Sequence, residues 1–535
     1  QLRAPGAAEV LDATTILGAA KLSGKTGNGW SLGVLEAVTQ REEARFRAAE
    51  GPDGRFAVEP LTNYLVGRAR RAMRSGQTLV GGIVTAVNRD LDTDDMRGSL
   101  RSGAYAGGVD FRHEWARRSW IASGYATGSL ITGEPGVIAA AQRSSLRYFQ
   151  RPDAGHVDVD ADAGSLAGAA AEFTVARQAG RHWRGSATLS TISPGYEAND
   201  LGFHTRADLN RASVSATYLE TTPGKTFRNW RVQGQARVDG NYDGDHVGNT
   251  LFLGSYGLLR NYWSMNFNAG YSFASTDDRL TRGGPAGRRP ADWRVYLSLN
   301  SDPRKTATGY ADGYYGRDEL GMRSHIYTAG VTLRPSPRWT LSLGPSITAN
   351  HLETQFVTSA ADPTAAGTFG RRYVFADLDQ TTLALDTRLD FTFTPRLTLQ
   401  LYAQPFVSAG DFSDYKELDA PRATDYSVYG RDRGTLVQNA SGTFTADPDG
   451  TGPAGAFTFG QFFGQRDFNQ RSLRGNAVLR WEWRAGSTLF VAWQQDRSDL
   501  DFLAGDFRFG RDREALFNAQ PDNVFLIKVN YWLNP

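Results

Sequence analysis

The sequence predicts an all-β protein: a large transmembrane antiparallel β-barrel with about 21 strands in this chain and about 22 when closed. Three observations lead to this prediction. Apolar and polar residues alternate over long segments, short and long connections follow each other in strict order, and tryptophans collect near the short connections. No linker divides residues 1–535, so we expect a single barrel domain.

The alternation is clearest at residues 263–273 and 383–393. In the first segment Phe267 lies on the apolar face and Asn268 on the polar face, which predicts that they face lipid and lumen, respectively. A soluble β-sandwich also alternates. Its strands are usually about 5 or 6 residues long, whereas these segments run for about 10 to 14. Such lengths are sufficient to cross a bilayer as tilted strands.

The connections alternate between short turns and long loops, which is typical of outer-membrane barrels with short periplasmic turns and long extracellular loops. The short turns include Lys25–Gly29, Arg117–Arg118, Ala179–Gly180, Arg260–Asn261, Pro337–Arg338, Pro395–Arg396 and Ala485–Gly486. The long loops include 131–162, 275–291, 353–371, 409–466 and 497–522. Phenylalanines in the 409–466 loop suggest strands that extend above the membrane.

About eight of the 12 tryptophans lie close to a short turn or to the C-terminus. The indole ring is amphipathic and prefers the level of the lipid headgroups. We therefore predict a membrane-interface girdle consisting of Trp30, Trp120, Trp183, Trp230, Trp263, Trp339, Trp483 and Trp532.

Composition excludes several other classes. The 59 Lys and Arg residues nearly balance the 57 Asp and Glu residues, which argues against a nucleic-acid binder. No apolar run is long enough for a transmembrane helix. The absence of cysteine excludes disulfides and thiolate sites. No HExxH or GxSxG motif occurs, so we expect no catalytic residues and no enzyme activity.

An odd number of strands has a consequence for closure. The turn at Lys25–Gly29 is short and therefore predicted to be periplasmic, so the strand at 13–24 would run downward from the extracellular side. We expect an upstream N-terminal segment to supply a first strand.

Pro345 and Pro405 interrupt regular strands, and since proline cannot donate to a ladder, each should mark a bulge or a locally open seam.

The 131–162 loop contains the clearest helical pattern. Pro135 follows Glu134 as at a helix N-terminus, and the pattern predicts a helix over Glu134–Gln150. Its Arg143 and Arg147 are candidates for narrowing the lumen. The alternative is a helix on the extracellular surface.

Charged residues on the polar face are candidates for lining the lumen: Asp386, Arg388, Asp390, Arg474, Arg480, Glu482 and Arg484. Charges in a barrel either pair across the wall or line water, and the sequence leaves both open. Acid-rich turns at 90–95, 239–245 and 447–450 could bind calcium, but none has the full spaced ligand series. We therefore expect no cofactor or resident metal and treat these acids as solvated turn residues.

Four segments carry a family resemblance: 18–30 (GAAKLSGKTGNGW), 142–153 (QRSSLRYFQRPD), 199–203 (NDLGF) and 260–263 (RNYW). Together they resemble the uncharacterised outer-membrane barrel that follows a family-nine-like carbohydrate-binding domain in many bacterial proteins. The resemblance covers essentially the whole chain. It implies a barrel, an outer-membrane location and an upstream β-domain, and it implies no known reaction.

These observations favour a channel or platform in the bacterial outer membrane for a polar, perhaps carbohydrate-derived, solute. The expected surroundings are the lipid bilayer and lipopolysaccharide, and no nucleic acid. One alternative is a filled structural barrel that anchors surface loops or a partner protein. A second is an outer-membrane hydrolase whose site would be assembled by barrel closure.

Overall fold

A computed structural model describes residues 7–8, 13–47, 54–462 and 464–532, most of them in β-strands. In chain order the strands are β1 (Ala7–Ala8), β2 (Ile16–Lys25), β3 (Trp30–Thr39), β4 (Glu42–Arg47), β5 (Gly54–Glu59), β6 (Leu61–Met73), β7 (Thr78–Asp90), β8 (Gly103–Trp115), β9 (Trp120–Thr132), β10 (Ser165–Arg177), β11 (Trp183–Ile192), β12 (Leu209–Glu220), β13 (Phe227–Gly240), β14 (His246–Leu259), β15 (Ser264–Ser272), β16 (Ser275–Asp277), β17 (Gly287–Arg289), β18 (Asp292–Asn300), β19 (Ala307–Asp318), β20 (Arg323–Ser336), β21 (Trp339–Ala361), β22 (Arg371–Thr394), β23 (Leu397–Leu418), β24 (Tyr426–Val428), β25 (Thr435–Gln438), β26 (Phe444–Asp447), β27 (Phe457–Phe459), β28 (Phe468–Arg484), β29 (Ser487–Asp501) and β30 (Pro521–Asn530). The described helices are α1 (Asp94–Ser99), α2 (Pro135–Arg143), α3 (Phe509–Asn518) and a 3-10 turn at Ala366–Thr368.

Among the described residues, 22 strands belong to one antiparallel barrel sheet. The exceptions are β1, β4 and β5, β16 and β17, and β25 to β27, which form small sheets of their own. Of the 22, only β24 is shorter than nine residues. The predicted fold class and the expectation of about 21 long strands are therefore confirmed.

The chain divides into two compact units. Unit 1 comprises Gln1–Tyr218, Gln235–Thr250 and Ser275–Ala286. Unit 2 comprises Leu219–Gly234, Leu251–Ala274 and Gly287–Pro535.

One face of the sheet in unit 2 is apolar and exposed. Phe267 of β15 lies opposite Leu297 of β18, and these side chains are 39% and 45% exposed. The next position pairs Asn268 with Tyr296 on the other face. Exposed apolar side chains in register across strands are what a lipid-facing wall requires. We call this the apolar face and the opposite one the polar face.

Replacing Phe267 by arginine should therefore destabilise the barrel by about 2–4 kcal/mol near the middle of the membrane. The same replacement at Asn268 should cost much less, because that side chain lies on the polar face. Reversible unfolding of both variants from detergent or lipid measures the difference. Equal losses would contradict the assignment of the two faces.

The two prolines interrupt the ladder on one side only. Pro345 keeps its register with Leu385 of β22, but the ladder between β20 and β21 skips the proline position. Pro405 likewise keeps its register with Leu473 of β28, while the ladder between β22 and β23 is interrupted there. The missing N–H explains both gaps, and the predicted locally open seams are confirmed.

Unit 2 has a hydrophobic core in the part of the chain that includes the 409–466 loop. The strands β21, β22 and β23 have 23, 24 and 22 residues, far more than a bilayer requires. Their distal parts pack with β25–β27, and we call this region the outer module. Its buried core consists of Val357, Val374, Ala376, Leu378, Phe412, Tyr415, Tyr429, Ala446, Phe459 and Phe468. The loop therefore contains strands, as its phenylalanines suggested.

The helices differ from the sequence prediction. The expected helix over Glu134–Gln150 is α2 alone, because the backbone at Ser144 is extended (φ −60°, ψ 158°) and Tyr148 has a positive φ of 52°. The prediction of one helix was also wrong, since α1 and α3 were missed. Both are short and fixed by local bonds: Thr93 caps α1, and Asp512 of α3 accepts from the Arg508 N–H at 2.8 Å. Among the described helices, none combines the length and apolar character needed to cross a membrane.

Candidate functional site

Strands β22, β23 and β28 of unit 2 bring polar side chains together on the polar face. Arg388 lies opposite Tyr402, and Tyr402 lies opposite Asn476 on its other side. In the neighbouring row Gln404 lies opposite Arg474. We call the whole group the wall cluster; it consists of Asp386, Arg388, Asp390, Gln400, Tyr402, Gln404, Arg474 and Asn476.

The carboxylates of the wall cluster accept hydrogen bonds from neutral donors. The Tyr402 hydroxyl and the Gln404 amide donate to Asp386 Oδ1 at 3.2 and 2.8 Å. The Gln400 amide donates to Asp390 Oδ1 at 3.1 Å. The two acids therefore have partners without using either arginine of the cluster.

The two arginines of the cluster form no ion pair with Asp386 or Asp390. The Arg388 guanidinium carbon lies 5.9 Å from the centre of the Tyr402 ring, and no carboxylate of the described residues forms an ion pair with it. Arg474 Nε lies 3.7 Å from Asp496 Oδ2, and its side chain is 72% exposed. A cavity of about 320 Å³ lies beside Arg388, Asp390, Gln400, Tyr402 and Asn476. The positively charged Arg388 side chain therefore borders an open, polar space.

The other lumen candidates lie further along β28, towards its short turn. Arg480 Nη2 is 3.3 Å from Glu482 Oε2, so this pair is neutralised locally. Arg484 donates to the Tyr531 hydroxyl at 3.2 Å. The seven predicted residues therefore fall into two groups, of which only the first four belong to the wall cluster.

Unit 1 contains a second cluster of charged side chains. It lies where four loop segments pack together, and we call these segments the loop assembly: 134–164, 193–208, 241–245 and 275–286. Arg147 is its central side chain and is fully buried. It donates to the carbonyls of Ala141, Pro194 and Tyr196 at 2.8, 3.2 and 2.7 Å, and to Glu197 Oε2 at 3.1 Å. Burial lowers the pKa of Arg147, and the Glu197 carboxylate opposes that shift.

Further ion pairs hold the same assembly. Asp208 is buried and lies 3.4 Å from Arg151 and 3.0 Å from His156 Nε2. Arg279 donates to the Leu146 carbonyl at 2.8 Å. Burial, assisted by the neighbouring Arg206, lowers the pKa of Arg279 to about 10, so the side chain stays charged at neutral pH.

The two constriction candidates therefore have different environments. Arg143, at the end of α2, is exposed. Arg147 is enclosed by protein and cannot present its charge to a water path as expected. Its role is to fix α2 to the 193–208 segment.

The girdle tryptophans lie at the short-turn ends of the strands. In unit 1, Trp30 pairs with Arg71, whose guanidinium carbon lies 5.6 Å from the indole centre. Trp120 pairs and stacks with Trp115 at 6.0 Å, and Trp183 contacts Tyr218 edge-on at 5.2 Å. This combination of indoles and a cation suits lipid headgroups.

In unit 2 the remaining girdle residues also lie at the short-turn ends of strands. These are Trp230 in β13, Trp263 just before β15, Trp339 at the start of β21, Trp483 near the end of β28 and Trp532 just after β30. Arg228 extends the pattern, because its guanidinium carbon lies 4.1 Å from the Tyr262 ring centre in the turn before β15.

The aspartates of the acid-rich turns bond to nearby groups of the protein itself. Asp447 and Asp449 accept from the N–H groups of Gly450 and Ala454 at 3.1 and 3.0 Å. Asp239 pairs with Arg211 at 2.8 Å. In the described part of the chain, no group of three or more His, Cys, Asp or Glu side chains is arranged to hold a metal ion.

Sequence reasoning missed the neutral members of the wall cluster and the partner of Arg147. Alternation along β23 places Gln400, Tyr402 and Gln404 on one face of the strand, but it does not give the register that places them against Asp386 and Asp390. Glu197 had no signal, because its loop shows no periodicity.

Comparisons with known proteins give a family and distant structures. A sequence model described as "Domain of unknown function (DUF5916)" matches residues 6–534. No curated protein matches the chain. The solved structure of the ferric citrate transporter FecA in the unliganded form is 9% identical, over 89% of this chain and 69% of that one, with a TM-score of 0.33. The siderophore receptor PirA from Acinetobacter baumannii is 10% identical, over 95% and 74%, with a TM-score of 0.35.

Proposed function

Since the chain belongs to the family described as a domain of unknown function (DUF5916), we propose from the geometry of its own residues that it is an outer-membrane barrel acting as a channel or platform for a polar solute. The barrel fold, the exposed apolar face and the tryptophans at the short-turn ends support a position in the bacterial outer membrane. Lipid and lipopolysaccharide would then surround the apolar face.

The exposure of charged side chains on the barrel strands carries the proposal. In unit 1, Arg68 of β6 and Asp110 of β8 lie 2.7 Å apart, with their side chains 43% and 31% exposed. Arg474 and Asp496 are 72% and 45% exposed. In a dry, filled interior these charged side chains would lose their hydration, which costs free energy. The attraction within such loosely enclosed ion pairs would not offset that desolvation cost. A polar face with exposed charges therefore favours a water-filled lumen.

Planar-bilayer recording tests this proposal. Purified, refolded protein should produce stepwise conductance in KCl, and the trimming of loops should alter the step size. A barrel that is folded by circular dichroism and by its heat-dependent gel mobility, yet gives no steps, would contradict the channel role.

A second candidate is supported by the loop assembly and the outer module. Both are built as packed structures, with the fully buried Arg147–Glu197 pair in one and a hydrophobic core in the other. Mobile loops over a simple pore need neither feature. The barrel would then anchor these structures as a platform for a surface partner, and a folded but non-conducting protein would favour this role.

We propose a non-catalytic role without a resident cofactor. His156 and His351 contact Asp208 and Asp379 at 3.0 and 2.8 Å, and the hydrogen bonds of the described residues join neither histidine to a serine. The hydrolase alternative therefore has no nucleophile at these two histidines.

We also propose that an upstream segment adds a strand beside β2, and that a carbohydrate-binding-like domain precedes it. All ten residues of β2 are exposed, whereas its partner β3 contains half-buried positions. Exposure on both faces is expected of a strand at the edge of a sheet. A cysteine in the upstream segment should crosslink to one in β2 in the full-length protein. Failure to crosslink at every register would contradict the added strand.

A further inference from the structure

We propose that the wall cluster binds a small solute that carries one negative charge and several hydroxyl groups, as a sugar acid does. This inference rests on the proposed function and names the class of solute. It depends on how the cluster is bonded: the acids accept hydrogen bonds from neutral side chains, and Arg388 is left available to a solute.

Arg388 supplies the binding site for the anionic group. Its guanidinium has five N–H donors. The guanidinium carbon lies 5.9 Å from the centre of the Tyr402 ring, and no carboxylate of the described residues lies within ion-pair distance. The side chain is exposed beside the cavity. Arginine binds carboxylates through paired N–H groups, and such charged hydrogen bonds are stronger than neutral ones.

The neighbouring acids limit the charge of the solute. Asp386 and Asp390 each use one oxygen to accept from Tyr402, Gln404 or Gln400, and the other oxygen accepts no hydrogen bond from the described residues. These free oxygens can accept from solute hydroxyls. Together with Asp496 beside Arg474, they would repel a second negative charge on the solute. A monoanion with hydroxyl groups therefore fits better than a polyanion.

The neutral side chains and the cavity size agree with this chemistry. Asn476 and Gln400 offer amide groups along the same wall, and the Tyr402 ring provides a flat surface against which carbon-bound hydrogens can pack. The cavity of about 320 Å³ is at the lower end of the range for small-molecule sites. It has room for a solute of about six carbons rather than an oligomer.

Gluconate and sorbitol provide a matched pair of probes, because they differ only in a terminal carboxylate or CH2OH group. Isothermal titration of the full chain, folded in detergent at low salt, should give a Kd for gluconate about tenfold or more below that for sorbitol. Arg388→Gln should remove this preference, and Arg388→Lys should keep only the part that comes from the positive charge, because lysine cannot form the paired N–H contacts.

The control is Arg480→Gln, outside the wall cluster, where the arginine is already paired with Glu482. This variant should bind gluconate like the unmodified protein. Equal affinity for gluconate and sorbitol, or an unchanged preference in a folded Arg388→Gln protein, would overturn the proposal. Tighter binding of citrate than of gluconate would overturn the limit to one charge.

Measurements of binding and of conductance distinguish the proposed solute class from the proposed channel role. If the protein conducts but does not prefer gluconate, the proposed solute class is wrong and the channel role stands. If gluconate binds through Arg388 but no conductance is found, the site is supported and the channel role is replaced by the platform role.

Discussion

Replacement of Arg147 by methionine is expected to loosen the loop assembly of unit 1. The change removes three carbonyl contacts and leaves the buried Glu197 with Arg101, 3.2 Å away, as its remaining arginine partner. Breaking a buried ion pair from one side typically costs about 3–5 kcal/mol. Because Arg101 retains part of the interaction, we expect a local loss on the order of 3 kcal/mol.

Hydrogen exchange measures this effect directly. A loss of that size should speed exchange of the amides in 134–150 and 193–204 by roughly a hundredfold, since each 1.4 kcal/mol corresponds to a factor of about ten. The exposed Arg143 in the same segment offers the control, and Arg143→Met should leave exchange nearly unchanged. Equal behaviour of the two variants would contradict the central role of Arg147.

Replacement of residues 134–150 by a short Gly-Ser bridge should increase single-channel conductance, by about twofold or more if the loop assembly lies in the solute path. A barrel of about 22 strands is too wide for its wall side chains to fill. Large barrels therefore usually carry a plug or an infolded loop. The bridge removes α2 and Arg147 together, so the segments they join should separate.

A shortened 409–466 loop is the matched control, because the outer module has its own hydrophobic core. Its removal should change conductance less than removal of 134–150. If a folded barrel with the Gly-Ser bridge conducts like the unmodified protein, the loop assembly lies outside the path and the channel needs another constriction.

The sequence predicted those features that depend on neighbours along the chain. Alternation gives the face of each strand, as with Phe267 and Asn268, and the missing N–H of Pro345 and Pro405 gives the open ladder positions. Short and long connections give the number of strands. These features follow from local chemistry, and the structure confirms the fold and both prolines.

Features that depend on distant partners could not be obtained in this way. The helical pattern over 145–149 does not correspond to a continuing helix. The Arg147 side chain instead turns inward and donates hydrogen bonds to carbonyls of the 193–208 segment, which is distant in sequence. Similarly, the pairing of Asp386 with Tyr402 and Gln404 requires the register of β22 against β23. Side-chain faces are local, whereas register and loop packing are set by the whole fold.

The length of β21, β22 and β23 determines how far the outer module extends beyond the membrane-spanning part of the barrel. A strand of 24 residues such as β22 spans roughly 80 Å, whereas the bilayer takes only about 9–11 residues of a tilted strand. Roughly half of β22 therefore stands clear of the hydrocarbon. In the proposed outer-membrane position, with the long loops on the cell-surface side, antibodies or other large particles would touch the outer module before the membrane-embedded part of β22. Arg388 lies towards the other, short-turn end of this strand.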